Sequence, residues 1–114
     1  MILSEFEQKR IEKLFSDFAR GKVPACFQDQ IRIEFRIKGA EVTLYESRPH
    51  YLDQSTWFSM AVARFKKDPK SEAWQLYCAD RNGKWHIYKP CPPNRDIEKL
   101  LAEVKNDPTG IFWG

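Results

Sequence analysis

The chain has 114 residues and a formal net charge of +3, with 42% hydrophobic and 31% charged side chains. Domains usually hold about 100–200 residues, so one domain is expected, spanning 1–114. The composition belongs to a chain that buries a core and excludes disorder as its main state. No apolar run approaches the roughly 20 residues that cross a bilayer as a helix, so no membrane partner is expected.

The start, Met1-Ile2-Leu3-Ser4-Glu5, has no basic stretch followed by a long apolar one, which argues for a cytoplasmic protein. Cys26, Cys78 and Cys91 are then read as free thiols. Ser4 and Glu7 have capping-box spacing, and Leu3, Phe6, Ile11, Leu14, Phe15 and Phe18 follow on one face. An N-terminal helix over Ser4–Arg20 is predicted, with Gly21 taking the left-handed position that ends it. After a connector with Pro24, residues 31–38 alternate apolar and charged side chains, Ile31, Ile33, Phe35 and Ile37 against Arg32, Glu34, Arg36 and Lys38. That is a strand with one face in the core and one in water.

Gly39-Ala40 turns the chain into a second strand, 41–48, ended by Pro49. Residues 49–57 read as the longest loop inside the sheet region, 59–66 as the third strand, and 67–70 as a turn. Residues 73–79 and 84–89 form the fourth and fifth strands around Asp80-Arg81-Asn82-Gly83, whose Asn-Gly is a strong hairpin signal. Pro90, Pro92 and Pro93 end the sheet region 30–89. Asn94 caps a second helix over 94–106, with Ile97, Leu100, Leu101 and Val104 as its apolar stripe. Residues 107–114 form an apolar tail. The fold class is α+β: an N-terminal helix, a five-stranded antiparallel β-meander and a C-terminal helix, with the helices packed on one sheet face.

The sixteen aromatic residues, 14% of the chain, make the facing of the last hairpin important. A two-residue type I′ turn at Asn82-Gly83 pairs Cys78 with Ile87 and Tyr77 with Tyr88. Trp74, Leu76, Cys78, Trp85 and Ile87 then face the core, and Gln75, Tyr77, Arg81, Lys84, His86 and Tyr88 face out. A type I turn with a bulge at Gly83 would instead place Trp85 with Tyr77. The first register is preferred because it gathers apolar residues on one side, and a one-residue slip inverts every assignment.

The positive charge is concentrated in the sheet region: residues 30–95 carry twelve basic and seven acidic side chains, against five and five in 1–29 and two and four in 96–114. With the outward aromatics, this points to a non-catalytic binding module that contacts nucleic acid or another anionic partner. Arg48, Tyr77, Arg81, Lys84, His86 and Tyr88 are the candidate binding residues, with Arg32 and Arg36 offering further phosphate contacts. A second reading is an interaction or homodimerising domain that uses Phe112 and Trp113 in the apolar tail. A third is a small enzyme joining His50 or His86 to Arg48, Asp53 or a cysteine.

Catalysis has little support in the pattern, since no phosphate-binding glycine loop or nucleophile elbow is present, and no catalytic residue or cofactor is assigned. Asp53 and Asp80 can orient a histidine or cap turns, the commoner use. Cys78, His86 and Cys91, with His50 or Cys26, lack metal-ligand spacing, so no metal is assigned.

Read together, several segments resemble the bacterial domain-of-unknown-function 3024 family. They include Arg48-Pro49, Val62-Ala63-Arg64-Phe65, Trp74, Leu76-Tyr77 and Asp80-Arg81-Asn82-Gly83-Lys84-Trp85-His86. Tyr88, Pro90, Pro92-Pro93, Asp96, Leu100-Leu101, Glu103-Val104, Asp107-Pro108 and Gly110-Ile111-Phe112-Trp113-Gly114 continue the likeness. It is close over 47–114 and looser before that. It implies a small bacterial protein and carries no catalytic roles. Cys78 and Ile87 depart from it, standing where a second aromatic and a polar residue are expected.

Overall fold

Helix α1 (Glu5–Lys22) begins where Ser4 accepts the Glu7 amide at 3.1 Å. The reciprocal half of the capping box does not form. Glu7 instead reaches Lys67, with its two carboxylate oxygens 3.0 and 2.8 Å from Nζ. The rotation of the helix explains both this and a correction to its apolar face. At 3.6 residues per turn, Glu7 stands about 40° from Ile11 and Phe6 about 140°. Phe6 is accordingly 80% exposed, while Ile11 and Phe15 are buried. Gly21 is helical and does not end α1; the Val23 amide still donates to Ala19 O at 3.1 Å, and Val23 caps the helix in an extended conformation.

The computed structural model describes residues 3–23, 26, 30–50, 52–53, 55–80 and 82–113. Five strands follow α1: β1 (Arg32–Lys38), β2 (Glu41–Pro49), β3 (Trp57–Lys67), β4 (Trp74–Ala79) and β5 (Trp85–Ile87). They lie in sequence order in one antiparallel sheet, the expected meander. Pro49 does not stop β2 short; it is the last residue of the strand and pairs with Trp57, so β3 starts earlier than the sequence pattern suggested. Between β2 and β3 the register shifts at Leu44/Tyr45, leaving Val62 as an extra residue on β3. Such a bulge raises local twist.

Helix α2 (Ile97–Asn106) is capped by Asp96, whose side chain accepts the Glu98 amide at 3.1 Å. Asn94, the expected cap, lies two residues earlier. Its backbone bridges to Trp74, with N···O distances of 2.7 and 3.1 Å, and its side chain accepts the Asp96 amide. Asp107 ends α2 in a left-handed conformation, φ 43°.

Both helices cover the same sheet face. Phe15 of α1 meets Phe35 and Phe65, with ring centroids 5.4 and 5.2 Å apart, the second pair edge to face. Val42, Leu44, Ala63, Phe65, Trp74 and Leu76 from the sheet join Leu100, Leu101 and Val104 from α2 in one core. Edge-to-face rings add roughly 0.5–1.5 kcal/mol beyond their buried area. No helix among the described residues is long and apolar enough to cross a membrane.

The tail folds back on its own domain. The Asp107 carboxylate accepts the Phe112 and Trp113 amides at 3.1 and 2.9 Å, and the Trp113 indole donates to Val104 O at 2.8 Å. That last bond satisfies one of the carbonyls a helix leaves unpaired at its C-terminus. Phe112 is 7% exposed and packs on Tyr88, and Trp113 stacks on Phe18. Phe112 and Trp113, offered by the sequence for an interaction role, both make contacts within the chain, because a small core gains area from them.

Candidate functional site

The last hairpin takes the bulged register. Gly83 N donates to Asp80 O at 3.0 Å and Gly83 has φ +79°, a conformation that favours glycine. The strands then pair Tyr77 with Ile87, Cys78 with His86 and Ala79 with Trp85. Relative to the preferred sequence register, every β5 residue is inverted. Tyr88 does not face out: it is 3% exposed, its amide donates to Leu76 O, and it sits in the core. His86 moves to the helix-side face opposite Cys78. Tyr77 stays on the outer face and is joined there by Trp85 and Ile87. The two-residue turn does not form, because apolar character alone does not set the register of this hairpin. Trp85 is tolerated on the outer face by a cation, and the Tyr88 ring suits the core, with its hydroxyl 3.4 Å from Thr109 Oγ1.

The remaining binding candidates separate. Arg48 faces the helix side of β2, beyond the helices, where it pairs with Glu46 and stands across from Phe58. Lys84 is exposed at the base of the turn, its amide donating to Asp80 Oδ1 at 2.9 Å. Arg81 lies outside the described residues.

The uncovered outer face carries a different set. Cross-strand pairing aligns Arg32, Glu34, Arg36 and Lys38 of β1 with Ser47, Tyr45, Thr43 and Glu41 of β2. It then aligns Ser59, Ala61, Arg64 and Lys66 of β3, followed by Tyr77 and Gln75 of β4. Four rings on this face are each capped by a cation. Arg32 lies 4.0 Å from the Trp57 ring centre, Arg64 4.4 Å from Trp85, Arg36 5.4 Å from Tyr45 and Lys66 5.4 Å from Tyr77. Arg36–Tyr45 and Lys66–Tyr77 are diagonal neighbours on adjacent strands, about 7–8 Å apart on one face, whereas Arg32 and Arg64 each reach across an intervening strand, to Trp57 on β3 and Trp85 on β5. Glu41 holds Arg64 at 3.0 Å and Lys66 at 3.7 Å, fixing two of the cations. Beneath these long side chains Thr43 and Ser47 are buried, and Ser47 Oγ lies 2.8 Å from Ser59 Oγ. Sequence reading missed Arg64, Lys66, Tyr45, Trp57 and Trp85. The strand alternation around Arg64 and Lys66 was a signal for the first two, but the bulge at Val62 and the hairpin register were not legible.

The groups offered for catalysis fall at two places in the sheet. His50 follows β2 and His86 lies on β5, with two strands between them. Asp53 caps its own loop, accepting the Ser55 amide and hydroxyl at 3.1 and 2.6 Å and the Thr56 hydroxyl at 3.1 Å. The Ser55 and Thr56 bonds hold its carboxyl below the ordinary value. Asp80 does both things expected of such a residue. It caps the turn through the Asn82 and Lys84 amides, and its Oδ2 lies 2.7 Å from His86 Nε2. The His86 bond, then the Lys84 amide, lower its pKa.

Cys78 and His86 were expected on opposite faces, and the bulged register makes them cross-strand partners. Burial nevertheless pushes the Cys78 thiol up, the wrong direction for a nucleophile, and burial does the same to Cys91. Among the described residues, no three His, Cys, Asp or Glu side chains gather as a metal would require. A cleft of about 220 Å³ between α1, Trp74 and the start of α2 is lined by charges that largely pair with one another, Lys67 with Glu7 and Arg10 with Asp96.

Residues 3–114 match the family model described as Domain of unknown function (DUF3024). The chain belongs to that family. The match extends the resemblance read from 47–114 to α1 and β1, so helix, sheet and tail form one family unit. No curated protein and no solved structure matches the chain. In this DUF3024 protein the outer sheet face is thus the surface whose chemistry calls for an explanation.

Proposed function

We propose that this DUF3024 domain is a nucleic-acid-binding module that meets its ligand with the outer face of the sheet. The observation that carries this reading is the set of four cation-capped rings on a face that neither helix covers. Among the described residues, five cations stand on it (Arg32, Arg36, Lys38, Arg64 and Lys66) against Glu34 and Glu41. A polyanion neutralised by such a face releases counterions, so binding is driven largely by salt-dependent electrostatics. Long cationic side chains lying over rings also lose less freedom on meeting a phosphate than fully mobile ones, because packing already restricts them.

The test is fluorescence anisotropy with a labelled mixed-sequence oligonucleotide at about 50 and about 200 mM salt. Wild-type binding should weaken with salt. A triple variant, Arg32→Gln, Arg36→Gln and Lys66→Gln, should bind at least about tenfold more weakly and with a shallower salt slope. All three side chains are exposed, so the variant should keep its fold. Failure of the wild type to bind at the lower salt, or equal binding by the triple variant, would overturn the proposal.

A further inference from the structure

We infer that this face takes single-stranded nucleic acid, with unpaired bases stacked on Trp57, Tyr45, Tyr77 and Trp85. The inference rests on the nucleic-acid reading above and narrows its ligand. Width is the first argument. Five strands at about 4.8 Å spacing make a face about 19 Å across, whereas the major groove of B-DNA is about 12 Å wide and admits a helix or a two-stranded ribbon. A broad sheet therefore cannot enter the groove and would touch a duplex only along its phosphates.

The second argument comes from the rings. They are partly exposed and spread over four consecutive strands, β2 to β5, and each offers a face to the solvent side that a cation occupies at 4.0–5.4 Å. A phosphate drawing the guanidinium or ammonium toward itself uncovers the ring for a base. Base and cation therefore exchange places on the ring while the cation gains a phosphate. A duplex, whose bases are already stacked, gains only the phosphate half of that exchange.

Between the rings the floor is low. Ser59 and Ala61 carry small side chains, and Tyr45 pairs directly with Ala61, so β3 sets only a methyl group beside that ring. Tyr77 and Trp85 are diagonal neighbours through the Tyr77–Ile87 and Ala79–Trp85 pairs, about 7–8 Å apart. Two adjacent bases that open slightly from their stack can each reach one of them.

The experiment titrates the full chain with a labelled single strand, the duplex of the same length, and an abasic strand of the same charge. The single strand should bind about tenfold or more tightly than either of the others at about 50 mM salt. Trp57→Ala and Trp85→Ala should each weaken single-strand binding by about five- to 150-fold, the range of one stacked base. They should leave the salt slope and the weak duplex binding unchanged, and Trp85→Phe should retain most of the affinity. Circular dichroism of each variant confirms the fold. Equal affinity for strand and duplex, or for the abasic strand, would overturn the single-strand inference and leave the electrostatic reading standing. No binding to any of the three would overturn that reading as well.

Discussion

Replacing Trp113 by Ala tests the placement of the tail. The indole donates to Val104 O, stacks on Phe18 with ring centroids 6.2 Å apart, and carries Lys22 over its face at 4.5 Å. A fully buried Trp→Ala change costs about 3–5 kcal/mol. Trp113 is largely but not fully buried, so about 2–3 kcal/mol is expected, which corresponds to a Tm lower by about 8–12 °C in a domain of this size. Trp113→Phe keeps the stack and loses the indole hydrogen bond, for about 1 kcal/mol. Urea unfolding followed by far-ultraviolet circular dichroism measures both, since removing a tryptophan complicates a fluorescence signal. The denaturant slope should stay constant, because the tail is a small part of the surface exposed on unfolding. Light scattering should give one mass for wild type and variant. A stability unchanged within about 0.5 kcal/mol, coupled to a fall in mass, would refute the reasoning and return the tail to a role between subunits.

Phe6→Ser should change stability by less than about 0.5 kcal/mol, and Phe15→Ala should cost about 3–5 kcal/mol, both read by urea unfolding; similar losses would refute the assigned helix rotation. Gly83→Ala should cost about 1–2 kcal/mol for placing a side chain at φ +79°, with no clash since nothing lies within 4 Å of the added carbon. A neutral result in thermal melts would argue against the bulged turn. The Asp80 carboxyl titrates below its unfolded value of about 3.9, so the folded state prefers it ionised. Its contribution is present above that value and is lost as pH falls through the folded pKa, so Asp80→Asn should flatten the stability profile below about pH 4. An unchanged slope there would remove the turn role. Tyr88→Ala should lower Tm while leaving the nucleic-acid affinity of the surviving folded protein intact, and Tyr77→Ala should do the reverse; exchanged outcomes would restore the two-residue turn.

Much of the architecture was legible because it follows from local periodicity. Ile11, Phe15 and Phe18 recur at helical spacing, and Ile33, Phe35 and Ile37 alternate with charged residues, so element type and order were readable from neighbours alone. The candidate site was legible only in kind. A basic, aromatic, solvent-facing sheet was expected, and Tyr77 belongs to it, but Tyr88 and His86 do not and Trp85 does. One residue of turn geometry separates the two sets, and the same Asn-Gly pair serves either turn.

The sequence by itself determined the meander, the two amphipathic helices and an aromatic content too large to ignore. Tertiary structure alone decided where each ring went. Phe15, Phe65, Trp74 and Tyr88 fill the core, and Phe112 and Trp113 close the tail over it. Trp57, Tyr45, Tyr77 and Trp85 lie outside beneath cations from other strands of the sheet. The reason is that a strand's facing depends on its partner's register, a contact between residues far apart in the chain. A period of two leaves that choice open until bulge and turn are in place.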